Sequence, residues 1–463
     1  MLSEKDVTFR CLINLESAYV PSDFYFVRSE HINVFKAVDI YSRFPVVIKS
    51  VSKSIDQSVR LVNEVIILKR LNFPNLIKLR DHFQTADNYY IVYTDDNAQS
   101  LLDYFYEKRE PAKMGQMKDL FYQLVKALKY LHNENIGHSK IDFTSLFYSK
   151  NRYISIGGFS YAIDLSILKI KPGSLINNMS KQPISFQPPE VLDGKFGLKS
   201  DIWSLGVVFY SLIAADLPFK GSNKEECNHE IRNSPLKVDQ LKSIRVDGDL
   251  ILLLEAMLCK DISLRPSADE LLKFNFFKNH LSEMSKNTYQ KSFEALHNFA
   301  QRSKFIQSMR LNFVSRALNK NEAMNHINLF NIVDTDEDGR ISLDEFVRFK
   351  RKSELPVNEN DLKKTFMKLD HDNNGFLEYE EFIAAFHSLT GDKTKQKIRV
   401  LFHDIDKNKD GIVSFEEMQN YLGTSPEGEA EMAKLKKLFG DNNGITYKQF
   451  EQFIMNFDDS YFV

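Results

Sequence analysis

Three twelve-residue segments recur in this chain at a fixed interval of 36 residues, beginning at Asp334, Asp370 and Asp406. They read Asp334-Thr-Asp-Glu-Asp-Gly-Arg-Ile-Ser-Leu-Asp-Glu345, Asp370-His-Asp-Asn-Asn-Gly-Phe-Leu-Glu-Tyr-Glu-Glu381 and Asp406-Lys-Asn-Lys-Asp-Gly-Ile-Val-Ser-Phe-Glu-Glu417. A fixed period of this kind means copies of one small supersecondary unit set side by side, which constrains the C-terminal third more than any local propensity does. In every copy a glycine (Gly339, Gly375, Gly411) stands at the sixth position, where a sharp turn needs a residue free of Cβ strain. An aliphatic residue follows two places later, Ile341, Leu377 or Val413, and suits a short strand that pairs one loop with its neighbour.

The side chains at positions one, three and five all bear oxygen: Asp334, Asp336 and Asp338; Asp370, Asp372 and Asn374; Asp406, Asn408 and Asp410. A calcium ion takes about six to eight hard oxygens at roughly 2.3–2.6 Å, and this spacing supplies them. Position seven needs only a backbone carbonyl, so Arg340, Phe376 and Ile412 are all admissible there. Glu345, Glu381 and Glu417 would close each cage as bidentate ligands. The segments match the EF-hand loop, and Ca2+ is the expected cofactor. A fourth segment, Leu438-Phe-Gly-Asp-Asn-Asn-Gly-Ile-Thr-Tyr-Lys-Gln-Phe450, keeps Gly444 and Ile445 but has Gln449 in place of the closing glutamate. It is expected to pair with the third loop without holding an ion.

Upstream the pattern changes. Phe24-Tyr-Phe-Val27 and Val46-Val-Ile-Lys49 read as strands, Ser58 to Leu71 has helical spacing without breakers, and helical patterns dominate from about Ser100. Six motifs follow in order. They are Val46-Val-Ile-Lys49, Glu64 within a helix, Ile136-Gly-His-Ser-Lys-Ile-Asp-Phe-Thr-Ser-Leu146, Phe186-Gln-Pro-Pro-Glu190, Lys199-Ser-Asp-Ile-Trp-Ser-Leu-Gly206 and Arg265. Across residues 24–280 the chain resembles the protein-kinase family. The resemblance implies an α+β, two-lobed kinase fold in which Lys49 and Glu64 pair at the nucleotide, Asp201 braces the catalytic loop and Glu190 pairs with Arg265. It also places Leu68, His138 and Phe159 in one internal stack.

The residues that would carry phosphoryl transfer are replaced. That chemistry needs a glycine-rich phosphate cover, a catalytic aspartate and metal ligands. Phe26-Val-Arg-Ser-Glu-His-Ile-Asn-Val-Phe-Lys-Ala37 has no glycine, with Val27, Ser29 and Ile32 at the glycine positions. Lys140 stands at the base position, and a protonated lysine cannot accept a proton at neutral pH. Ser139 replaces the arginine of the motif, Ser145 the asparagine ligand, and Gly158-Phe-Ser160 the aspartate-led metal motif. Asp142 is the one substitute base in reach, and it reads as a solvent-facing loop residue. Magnesium is not expected, and any ATP binding would rest on Lys49 and Glu64.

Residues 281 to about 318 carry apolar residues at helical intervals, as in Phe293-Glu-Ala-Leu-His-Asn-Phe299 and Phe305-Ile-Gln-Ser-Met-Arg-Leu-Asn-Phe313. Lys286, Lys291, Arg302, Lys304, Arg310 and Arg316 are interspersed. Such a segment is either the ligand helix of an opened EF-hand groove or a linker packed on the kinase-like lobe. The charge is asymmetric, with 28 acidic against 19 basic residues in 319–463. That favours cations or a basic helix, in this chain or in a partner protein, over nucleic acid. The whole order resembles the calcium-dependent protein kinase family.

The expected organisation is an N-terminal extension (1–23), a kinase-like domain (24–280), a junction (281–318) and an all-α, calmodulin-like domain of four EF-hands (319–463). Two function classes follow: a calcium-responsive pseudokinase acting as sensor or scaffold, or an active calcium-dependent Ser/Thr kinase with atypical ATP chemistry. Cys11, Cys227 and Cys259 match no metal spacing, and no apolar run is long enough to span a bilayer. The expected location is cytoplasmic.

Overall fold

The structure is a computed structural model. It describes residues 10–11, 19–23, 32–39, 45–53, 55–95, 98–108, 114–149, 152–166, 176–177, 182–278, 285–317, 323–386, 394–408, 410–422, 429, 432–433, 435–437 and 444–455. Val27 and Ser29 of the expected phosphate cover, and 438–443 of the fourth loop, lie outside these residues. The chain divides into two compact units, one formed by 1–10, 50–91 and 96–282, the other by 11–49, 92–95 and 283–463.

The first sheet has six strands: β1 (Arg10–Cys11), β2 (Tyr19–Asp23), β3 (Ile32–Asp39), β4 (Pro45–Ser52), β5 (Leu79–Gln84) and β6 (Asn88–Thr94). Their order is β1-β5-β6-β4-β3-β2. Strands β4 and β6 each contribute residues to both units. Val46 and Ile48 of β4 are buried and alternate with half-buried neighbours, the period-two pattern of a strand with one face in a core.

In the first unit, helix α1 (Ile55–Arg70) contains no glycine or proline and buries Leu61, Val65 and Leu68 along one stripe. Lys69 and Arg70 in its last turn complement the helix dipole. Helices α2 (Met114–Asn133) and α3 (Leu198–Ala214) form the centre of the large lobe. The rings of Phe121 on α2 and Phe209 on α3 stack at 3.5 Å between centroids. From Ser200 to Ile213 every residue of α3 is buried, as befits a helix apolar all round. Between them the hairpin Leu146–Ser149 with Tyr153–Ile156 runs in antiparallel register, and Ile136–Gly137 pairs with Ile163–Asp164. These two ladders bracket the catalytic-loop segment.

In the second unit, helices α4 (Lys286–Ala300) and α5 (Lys304–Ala317) precede α6 (Met324–Val333), α7 (Leu343–Ser353), α8 (Glu359–Leu369) and α9 (Tyr379–Ala384). Next come α10 (Thr394–Ile405), α11 (Phe415–Leu422) and α12 (Tyr447–Met455). The twelve-residue loops sit between consecutive helices. Short strands pair them two by two, Ile341 opposite Leu377 and Val413 opposite Ile445. Among the described residues no helix is long and apolar enough to cross a membrane.

Candidate functional site

The repeated loops converge as their spacing requires. Gly339, Gly375 and Gly411 all have positive φ, at 90°, 87° and 83°, and each donates its N–H to the first aspartate of its loop. Carboxylate oxygens of Asp334, Asp336 and Asp338 lie within 4.8 Å of one another, as do those of Asp370, Asp372 and Glu381. In the third loop one oxygen of Asp406 accepts the Gly411 N–H at 3.0 Å. Its Oδ1 is buried with no hydrogen-bond partner. A buried carboxylate oxygen left bare is costly unless a cation satisfies it, so the donor set fits calcium.

The closing glutamates differ in a way the twelve-residue pattern did not announce. Ser342 and Ser414, at position nine, each donate both backbone N–H and hydroxyl to Glu345 and Glu417. Burial works against both carboxylates, but these hydrogen bonds hold them below their usual range. In the second loop position nine is Glu378, which donates only its N–H. Burial pushes Glu381 up to about 8, with the nearby charges of Asp372 and Glu378 adding to it. Residue identity at position nine was the available signal. In the fourth hand Gln449 accepts from both Thr446 N–H and Thr446 hydroxyl, so a neutral side chain takes over the turn-closing hydrogen bonds.

The junction helices lie in the EF-hand module. Tyr289, Phe293, Leu296, Phe299 and Ala300 form the buried stripe of α4, and the Phe293 ring lies 5.6 Å from Phe346 and 6.0 Å from Phe349 on α7. His297 meets the buried Thr365 hydroxyl of α8 at 3.0 Å. Phe305, Ile306, Met309 and Phe313 of α5 share one apolar cluster with Ile398, Leu401, Val413, Met418, Ile445 and Phe450. Both helices of this segment thus pack against helices of the EF-hands. The apolar stripes make the contact. Of the basic residues, Lys286 forms an exposed ion pair with Glu354, while Arg310 is half-buried over the Phe299 ring and is pushed down to about 10 by burial and by Arg302.

The catalytic-loop segment keeps its frame. Asp201 accepts the N–H groups of His138 at 2.7 Å and Ser139 at 2.8 Å. The His138 ring, fully buried, meets Phe159 edge-on at 5.0 Å and hydrogen-bonds the Gly157 carbonyl. Arg265 grips Glu190 through two nitrogens at 2.7 and 3.1 Å and covers Trp203. Lys140 sends its ammonium over the Tyr161 ring at 5.7 Å. Ser145 is buried and ties the loop to itself, accepting from Asp142 N–H and donating to the Asp142 carbonyl.

One expectation is corrected. Asp142 is not solvent-facing but 3% exposed, and its Oδ1 accepts both the N–H and the hydroxyl of Thr144. A local turn of this type uses the carboxylate for structure. Gly158 sits at φ 80°, at the head of the turn Phe159–Tyr161. Lys49 is half-buried on β4. Glu64 is buried on α1 and accepts the Ser160 hydroxyl at 2.5 Å, a bond between residues 96 apart that no motif signalled. Arg60, Asn63 and Arg70 on the same helix reach Tyr161, the Ala162 carbonyl and Asp164.

Residues 31–277, more than half of the chain, match the protein kinase domain. The chain belongs to the protein kinase family. Residues 327–350 match the EF hand and 359–423 the EF-hand domain pair. This kinase-family chain is similar to calcium-dependent protein kinase 6 of Plasmodium berghei (strain Anka), 26% identical over 371 residues, which cover 80% of this chain and 24% of that protein. It is also similar to calcium-dependent protein kinase 5 of the same organism, 25% identical over 430 residues, covering 89% and 73%. Against calcium-dependent protein kinase 21 of Oryza sativa subsp. japonica it is 24% identical over 335 residues, covering 72% and 58%. The chain thus spans about a quarter of the first relative's length. A protein kinase domain is thus followed in this chain by EF-hands, which support Ca2+ binding, and the proteins it is similar to include calcium-dependent protein kinases.

Proposed function

We propose that the chain is a calcium-responsive pseudokinase, a sensor or scaffold in which the EF-hand module governs a kinase-like domain that does not transfer phosphate. The observation that carries this reading is the contrast at Lys140, Ser145 and Gly158. Each replaces a base or metal ligand, and the loop's own carboxylate, Asp142, is already bonded to Thr144. Most of the rate of phosphoryl transfer comes from neutralising developing charge with metals and positioned donors. A loop without those carboxylates lacks that source.

The calcium ligands in this reading are Asp334, Asp336, Asp338, the Arg340 carbonyl and Glu345. In the second loop they are Asp370, Asp372, Asn374, the Phe376 carbonyl and Glu381. In the third they are Asp406, Asn408, Asp410, the Ile412 carbonyl and Glu417. Calcium, when bound, neutralises these clustered carboxylates. The residues of α4 and α5 that fill the grooves translate a change in loop shape into a change in the junction. The support for that step is the buried stripe from Tyr289 to Val314.

Small-angle scattering of the full chain with and without calcium tests the reading. A calcium-dependent change in dimensions is expected, and identical curves with calcium bound would overturn it. The second reading, an active calcium-dependent Ser/Thr kinase, draws on the retained Lys49, Glu64 and Asp201. Assayed turnover decides between them.

A further inference from the structure

The two junction helices divide their contacts unequally. Helix α4 lies against α7 and α8, within the first pair of hands, whereas α5 lies against α9 of the second hand and against α10 and α11 of the third. On α5 one residue is held by polar groups from both sides. Ser308 is buried, and its hydroxyl lies 3.2 Å from Nε2 of His371. Its backbone carbonyl accepts the Tyr421 hydroxyl at 2.9 Å.

Both partners lead directly to a calcium cage. His371 is the second residue of the second loop, and its N–H donates to Oε1 of Glu381 at 2.7 Å. Tyr421 stands on α11, whose first turn carries Glu417. A connected route therefore runs from Glu381 through His371, Ser308 and Tyr421 to the helix of Glu417. Two further polar links from the junction each reach a single hand. Asn312 donates to Asp404 on α10, and His297 meets Thr365 on α8.

We propose that Ser308 is the positioning residue that couples the second calcium loop to the third. The proposal rests on the calcium-sensing reading above. Apolar contacts tolerate sliding and rotation, whereas a hydrogen bond fixes direction. When Glu381 is drawn into its cage, the backbone at His371 is fixed with it, and the imidazole holds Ser308 in one rotation of α5. That rotation sets where the Ser308 carbonyl meets Tyr421, and so where α11 presents Glu417. Coupling of this kind is reciprocal, so filling the third loop raises affinity at the second by the same factor.

The experiment is a calcium titration of the full chain by isothermal calorimetry, comparing Glu417→Gln in four backgrounds. These are the unaltered sequence, Ser308→Ala, Ser308→Thr and Tyr421→Phe. Glu417→Gln is expected to weaken the remaining loops by about fivefold in the unaltered and Ser308→Thr backgrounds, and by less than about twofold in Ser308→Ala and Tyr421→Phe. Tyr421→Phe leaves α5 untouched, so the test survives a misfolded Ser308→Ala. An equal loss in all backgrounds, or no loss in any, overturns the relay. A chain that binds no calcium overturns the sensing reading with it. Binding with a calcium-dependent scattering change but unaltered coupling overturns the relay alone.

Discussion

The third calcium loop and the catalytic-loop segment are both short turns organised by hydrogen bonds to carboxylates, and they use those carboxylates in opposite ways. In the calcium loop Asp406 spends one oxygen on Gly411 and keeps the other buried and bare. In the catalytic loop Asp142 is consumed by Thr144, and Asp201 is bonded to the loop backbone from outside. An acidic group already satisfied within its own turn supports a fold. One left bare at a convergence of oxygens is available to an ion. On the proposed pseudokinase reading, frame and chemistry are separable here: Asp201, Glu190 and Arg265 keep the kinase frame while Lys140, Ser145 and Gly158 stand in for the reactive groups.

The largest effect expected from breaking this contrast lies on the calcium side. Glu345→Gln combined with Glu381→Gln removes two closing ligands, and calorimetry should fall from about three sites to about one, while the melting of the kinase-like domain stays unchanged. On the other side, Arg265→Met leaves Glu190 buried without its partner. That should destabilise the kinase-like domain by about 3–5 kcal/mol in denaturant unfolding and leave the calcium isotherm intact.

Restoring Lys140→Asp, Ser145→Asn and Gly158→Asp together sharpens the contrast further. A Cβ at Gly158 would lie 3.7 Å from that of Ser145, an ordinary contact, and aspartate tolerates positive φ better than most residues. The triple variant should gain magnesium-dependent stabilisation by ATP, about 2.7 kcal/mol at a hundredfold excess over Kd, where the unaltered chain shows none.

The smallest effect is the pH dependence that the kinase frame itself contributes. Burial holds the His138 ring below its ordinary 6.5, against the pull of Asp201. The unfolded chain then takes up a proton near 6.5 that the folded one refuses. Stability contributed by neutral His138 is therefore complete above that pH and is lost as pH falls below it, at roughly 1.4 kcal/mol per unit. Thermal unfolding between pH 7 and 5 measures it.

How much of this was legible in the sequence follows the distance between the residues involved. The proposed calcium ligands fall within twelve contiguous residues, so chain order alone displays the cage. The catalytic segment Ile136–Leu146 is likewise local, and its replaced residues stand out against the motif. Periodicity marked the apolar stripes of α4 and α5 but carried no information about which surface receives them. Contacts between Ser160 and Glu64, or between His371 and Ser308, join residues 96 and 63 apart and leave no local trace. Asp142 was misread for a related reason: its burial is set by packing around the loop, whereas its spacing from Lys140 is all the sequence displays.

Calcium chemistry alongside a kinase frame without phosphotransfer stands or falls on phosphate transfer from labelled ATP by the full chain, measured in magnesium with and without saturating calcium. Transfer no greater than that of Lys49→Ala in both conditions is the result predicted. Calcium-stimulated turnover abolished by Lys49→Ala would contradict it.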